Sequence, residues 1–245
     1  MKLFSNCFKS LGHFFFKNRN ALFPVLFLLA FLGFKPETLS SNELVLRVAA
    51  LLGVAIAILG QTVRMSVIGY EYIKRGGKDR AVYAEDLVTG GFYQVCRNPM
   101  YLGNLLITCG ILLFYCSGPL LLIALPFFIL VYAAIISVEE EYLKNKFGPN
   151  YDNYCARVPS LVPRLSKIAE TISSSKYNWR MAIRKEYGTL YGTIAGLILI
   201  ESWKLFQQDK LILTSTMTLY LTSALILATI AYLLVRTLKK NGKLG

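Results

Sequence analysis

The sequence predicts an all-α, polytopic transmembrane bundle of about six spans, with polar loops gathered at one membrane face. Two observations carry most of this. Hydrophobic residues make up 55% of the chain and mean hydropathy is +0.48, above what a soluble domain carries. The apolar residues also fall in blocks rather than on amphipathic stripes, and a helix needs about 20 residues to cross the hydrocarbon core. The distribution of lysine and arginine between the blocks adds an orientation.

Taken in order, the expected spans are 14–34, 44–70, 100–116, 119–138, 190–206 and 211–235. The first has the shortest clean core, because Lys17 and Arg19 leave only residues 21–34 free of charge. Its basic start is followed by Gly33-Phe34-Lys35-Pro36-Glu37 rather than a small-x-small cleavage site, so it reads as a retained segment. The dipeptide Gly118-Pro119 leaves almost no loop, so spans three and four form a tight hairpin. With the N-terminus cytoplasmic, 22 of the 27 basic residues share one side, against Lys35, Arg47, Lys204 and Lys210 opposite and Arg64 inside span two. The positive-inside rule then puts both termini and the loops at 71–99 and 139–186 on the cytoplasmic face of an integral, multi-pass membrane protein. The net charge of +13 is spread over loops beside spans, so anionic membrane lipids are its expected counterpart and nucleic acid is not. Residues 1–165 read as a membrane core and 166–245 as a linker followed by two further spans.

Several chemistries are disfavoured by inventory. The single histidine, His13, reads as an interfacial residue, so serine–histidine or cysteine–histidine catalysis and histidine-bearing metal sites have no imidazole to use. Cys7, Cys96, Cys109, Cys116 and Cys155 lack metal or disulfide spacing and read as free packing thiols. There is no Gly-x-Gly-x-x-Gly or Gly-Lys-Ser/Thr loop for a nucleotide.

The most informative stretch is Leu87-Val88-Thr89-Gly90-Gly91-Phe92-Tyr93-Gln94-Val95-Cys96-Arg97-Asn98-Pro99-Met100-Tyr101-Leu102-Gly103, where polar, backbone-distorting residues run directly into an apolar block. Pro99 biases Asn98 away from helix and can itself open one, so amides of the next turn face the preceding loop and favour anionic or carbonyl oxygen. Tyr93, Arg97 and Tyr101 add an aromatic face, a fixed cation and a phenol. The same pattern also suits a proline-started span with interfacial anchors.

About forty residues later comes Glu139-Glu140-Glu141-Tyr142-Leu143, continuing through Phe147-Gly148 to Tyr151, Tyr154, Arg157, Val158 and Pro159. Together the two segments resemble the paired signatures of the isoprenylcysteine carboxyl methyltransferase-like and phospholipid N-methyltransferase superfamily, over roughly residues 60–163. The chain departs from the pattern at Glu85 and Asn98, where relatives often carry histidine.

The resemblance implies S-adenosylmethionine as cofactor, enclosed between the two segments, and methyl transfer to a lipid-like acceptor bearing a carboxylate, amine or thiol. On that reading Glu139 and Glu140 accept from the cofactor's amino group, and Arg97 with the amides after Pro99 holds its carboxylate, Asn98 and Pro99 being counted with them as cofactor-binding. Leu87, Val88, Tyr93 and Tyr101 wrap the adenosine, and Tyr151 joins them as a ligand contact. Glu140 and Arg157 are the catalytic candidates, Arg157 as a reader of phosphate or carboxylate. Simpler roles stand beside these: Glu140 and Lys144 have i, i+4 spacing for a surface pair, Tyr151 and Tyr154 suit an aromatic belt, and Arg157 suits a snorkelling cation. Arg64, inside a span, calls for an acidic partner, for which Glu139 and Glu140 are the expected choices. Gly60 and Gln61 beside it would allow close helix approach. A nicotinamide-dependent reductase of the sterol-reductase-like branch, or a non-catalytic scaffold or transporter, are the rival readings.

Overall fold

The computed structural model describes residues 2–71, 75–78, 81–174, 176–208 and 215–244. The expected opening of the last span at 211–214 lies outside the described residues, as do Lys74, Arg80 and Lys210. The helices are α1 (Lys2–Gly33), α2 (Glu43–Tyr70), α3 (Pro99–Tyr115), α4 (Gly118–Phe147), α5 (Pro149–Arg157), α6 (Ile168–Ser174), α7 (Trp179–Gln207) and α8 (Thr216–Lys240). One feature departs from the all-α expectation: β1 (Arg75–Lys78) and β2 (Ala81–Ala84) form an antiparallel hairpin after α2. Its Arg-Gly-Gly-Lys strand has neither β-branched residues nor apolar alternation, so it carries no sequence signal for strand.

Among the described residues, four helices are long and apolar enough to cross a membrane: Phe8–Gly33 within α1, α2, α4 and α8. α3 is apolar but has only 17 residues. α7 has the length, but Arg180, Arg184, Lys185, Glu186, Glu201 and Lys204 interrupt its hydropathy. Two of these are neutralised within the bundle, Glu186 by Arg64 and Lys204 by Glu37 and Glu201. Intramembrane charges are tolerated when paired in this way.

α1 runs antiparallel along α4: Lys9 bonds Glu141 at one end and Phe27 stacks on Phe128 nearer the other. α2 and α3 approach more closely. A Cβ on Gly53 would sit 2.7 Å from Gly110 O, and one on Gly60 2.7 Å from Gly103 O, so the two backbones touch where side chains would keep them apart. α3 turns into α4 through Cys116, in the left-handed conformation, and Ser117. α7 packs on both α2 and α3, and α8 packs on α7. The described thiols of Cys96, Cys109, Cys116 and Cys155 are free, and His13 is exposed.

Candidate active site

The loop entering α3 is shaped by its glycines and closed by its polar residues. Gly91 takes φ +53°, a conformation costly to any side chain, and opens a short 3-10 turn, Gly91–Gln94. The turn buries Phe92 and Tyr93 against Val67, and Tyr154 Oη donates to Tyr93 O at 2.6 Å. Pro99 is the first residue of α3, as its missing N–H allows. The amides of Tyr101 and Leu102 are already used, both donating to Asn98 O at 3.1 Å. The expected cluster of free amides for an anion is therefore not formed.

Arg97 and Glu140 form the centre of a clip joining four segments. Arg97 Nε and Nη2 donate to the two oxygens of Glu140 at 3.2 and 3.1 Å, while Nη1 donates to Cys155 O and Val158 O. Asn98 Nδ2 and Ser160 Oγ both donate to Glu140 Oε1, at 2.8 and 2.7 Å. Backbone bonds from Arg97 N to Pro159 O and from Asn98 N to Ser160 O complete it. Burial alone would lower the Arg97 pKa, but the bond and charge of Glu140 outweigh this and hold it above its ordinary value. Burial and then the Glu140 charge push the Tyr151 phenol upward, so it stays neutral. Burial likewise raises the Cys96 thiol to about 11.

Beside the clip lies a cavity of about 410 Å³ between α1, α2, α3, α4 and α7, within the ~300–1,000 Å³ usual for small-molecule sites. Tyr93, Arg97, Asn98, Pro99, Met100 and Tyr101 form one end, Arg64, Asn104, Tyr132 and Thr189 another, with Arg19, Asn20, Phe23, Glu71 and Glu139 around them. Tyr101 Oη donates to buried Glu139 at 2.7 Å and accepts from Arg19 Nη1 at 3.0 Å. A second, water-sized space of about 10 Å³ is lined by Asp86, Leu87, Val88, Arg97, Leu143, Tyr151 and Tyr154. Arg97 borders both.

Residues 48–150 match the family model described as phospholipid methyltransferase. The chain is 38% identical over 120 residues to protein-S-isoprenylcysteine O-methyltransferase B of Arabidopsis thaliana, covering 45% of this chain and 57% of that one. It is 30% identical over 136 residues to the cobalt-zinc-cadmium resistance protein CzcN of Cupriavidus metallidurans, covering 54% and 60%. It is 38% identical over 81 residues to the nickel-cobalt-cadmium resistance protein NccN of Alcaligenes xylosoxydans xylosoxydans, covering 33% and 38%. The chain thus spans at most three fifths of the length of these relatives. No solved structure matches it.

Within the matched residues 48–150, Tyr93, Arg97, Asn98, Pro99, Tyr101 and Glu139 come together on the large cavity. Leu87, Val88 and Tyr151 border the small one. Glu140 lines neither; it pairs with Arg97, so these two do not stand apart as receptors for opposite ends of a ligand. Nor does Glu140 pair with Lys144, which reaches forward to Asp152 at 3.1 Å because α5 folds back beside the end of α4. Arg157, the other catalytic candidate, lies exposed at the end of α5 with Nε on Asn153 O, away from both spaces. Arg64 is held by Glu186, not by Glu139 or Glu140, which meet Tyr101 and the clip instead. The cavity residues that sequence reasoning missed are Arg19, Asn20 and Phe23 of α1, Val67, Ile68, Glu71, Met100, Asn104, Tyr132 and Thr189. Asn104 was within reach of that reasoning, since it follows Tyr101 by three positions on the same face of α3. Thr189 and Arg19 had no local pattern to mark them, because their place depends on which helices pack together.

Proposed function

We propose that this chain transfers a methyl group from S-adenosylmethionine to a lipid-like acceptor at the membrane interface. The family supports the reaction class, and the names of the family and of the plant relative support an amphiphilic acceptor. The acceptor's nucleophile is a carboxylate, amine or thiol.

The observation that carries the reading is the charge of the cavity. Among the described residues, Arg19, Arg64 and Arg97 border it together with Glu71 and Glu139. Arg97 and Arg64 are further met by Glu140 and Glu186 from behind the wall. Of the charged groups described on the wall, three are guanidinium and two carboxylate, and the two partners behind it offset Arg64 and Arg97, so in a chain of net charge +13 the positive charge at this site is cancelled locally. An aromatic cavity whose arginines are offset in this way can accept a cation. When bound, S-adenosylmethionine supplies an electrophilic methyl group on a sulfonium. Glu139 and Glu71 would attract the ligand's positive groups, and Arg19 its carboxylate. Tyr93, Tyr101 and Tyr132 would pack against the apolar part and exclude water, leaving alignment of the nucleophile as the main task.

In this reading α1, α2, α3, α4, α7 and α8 all cross the membrane, with both termini and the clip on the cytoplasmic face. The charge asymmetry of the loops supports that orientation. Single-cysteine labelling at positions 38 and 85 from one side of sealed vesicles tests it, and labelling of both would overturn it.

The test of function is a thermal shift on the detergent-purified chain. S-adenosylhomocysteine should stabilise it, by about 2.7 kcal/mol at a hundredfold excess over Kd, and NADPH should not. Stabilisation by NADPH alone would overturn the assignment in favour of a reductase.

A further inference from the structure

α7 lies outside the matched residues 48–150, yet it reaches the cavity. Glu186 is 2% exposed and takes Arg64 in a two-pronged bond, Nε to Oε2 at 2.7 Å and Nη2 to Oε1 at 2.8 Å. Arg64 Nη2 also reaches Thr189 Oγ1 at 3.3 Å, and Nη1 donates to Asn104 Oδ1. Gln61 Nε2 approaches Glu186 Oε2 at 3.4 Å, so the carboxylate is held from α2 as well. Arg64 lines the cavity; Glu186 does not.

A largely buried guanidinium on the wall of the cavity would repel a cationic ligand unless its charge were cancelled nearby. Glu186 cancels it. We infer that Glu186 is a positioning residue which neutralises Arg64 and thereby gives the cavity its preference for the sulfonium form of the cofactor over the neutral thioether product. The inference rests on the methyltransferase reading above. It turns α7 from an appendage into the element that sets the charge of the site, and it gives the protein a means of releasing product.

Binding of S-adenosylmethionine and S-adenosylhomocysteine to the full-length chain in detergent, by calorimetry, provides the test. The two ligands differ by one methyl and one unit of charge at sulfur, so the ratio of their affinities reports local charge. General loosening of the fold would weaken both together. In Glu186→Gln the ratio should move at least fivefold toward S-adenosylhomocysteine, and in Asn104→Asp, which adds a carboxylate on the other side of Arg64, at least fivefold toward S-adenosylmethionine. The charge-relocating pair Asn104→Asp/Glu186→Gln should return near the parental ratio. If Glu186→Gln does not fold, Asn104→Asp and the relocating pair still decide, since an unmoved ratio in Asn104→Asp overturns the inference. A parent chain that binds neither ligand overturns the methyltransferase reading itself. A parent that binds both, with a ratio indifferent to these changes, overturns only the role of Glu186.

Discussion

Arg97 and Glu140 meet edge to edge, with Nε–Oε1 and Nη2–Oε2 separations of 3.2 and 3.1 Å, and so bind the start of α3 to the end of α4. Fork-to-fork pairing of this kind fixes orientation as well as charge. Arg97→Ala should therefore be a stability mutation, because it leaves Glu140 and the carbonyls of Cys155 and Val158 without their donor. Breaking a buried pair costs about 3 kcal/mol or more. Arg97→Lys should recover only part of it, since a point charge cannot fork. Thermal unfolding in detergent measures both, and an unchanged midpoint for Arg97→Ala would remove the clip from the account.

Lys144→Ala is the counterpart. Lys144 and Asp152 side chains are 63% and 54% exposed, and such pairs contribute about 0–1 kcal/mol. Stability and S-adenosylmethionine affinity should both stay at parental values. Glu139→Gln, by contrast, removes a carboxylate from the cavity wall and should weaken S-adenosylmethionine at least about tenfold, equivalent to 1.4 kcal/mol. Equal affinities for these two variants would refute the role given to the wall carboxylates.

Glycines provide a paired test of packing. A Cβ on Gly110 would lie 2.5 Å from Gly53 O and 2.6 Å from Ala57 N, whereas one on Gly196 of α7 meets nothing within 4 Å. Gly110→Ala should cost about 1–3 kcal/mol or more by forcing two backbones apart. Gly196→Ala should be neutral or slightly stabilising. Detergent melting curves of the two variants should therefore separate in opposite directions from the parent.

Cys96 makes a prediction at alkaline pH. Its buried thiol is pushed from 9.0 to about 11, so the fold favours the protonated form. Below pH 9 both folded and unfolded chains keep the proton and the contribution is intact. As pH rises from 9 toward 11 the unfolded chain releases the proton first, and stability falls by up to about 1.4 kcal/mol per pH unit. The difference in unfolding midpoint between the parent and Cys96→Ala should change across that window and be flat below it. A difference that stays flat through pH 11 contradicts the burial of this thiol.

Much of the architecture was legible because membrane insertion is read from local composition. The blocks of α1, α2, α4 and α8, the proline start of α3 and the two-residue turn before α4 are all properties of adjacent residues. The region holding the cavity was equally visible, since Tyr93, Arg97, Asn98, Pro99 and Tyr101 sit within nine positions and Glu139 opens the second segment. What escaped was partnership. That Arg64 needed an acid follows from its place in a span, but the choice of Glu186, 122 residues away, depends on α7 docking against α2. Charge pairing has no sequence period, and so Arg97 and Glu140 could be read as two receptors for one ligand when they are each other's partner.

The glycine contacts between helices bear on how such a site can admit anything. α2 is seated on α3 at Gly53, Gly60, Gly103 and Gly110, and α1 is seated on α4 at Gly12 against Ala134 O, each with backbone against backbone. Neither pair can slide or spread internally without losing that seating. The wall of the cavity is thus assembled from two tightly seated helix pairs, tied to each other at one end by the two-residue turn at Cys116 and Ser117 and at the other by the bonds of Glu140 to Arg97 and Asn98.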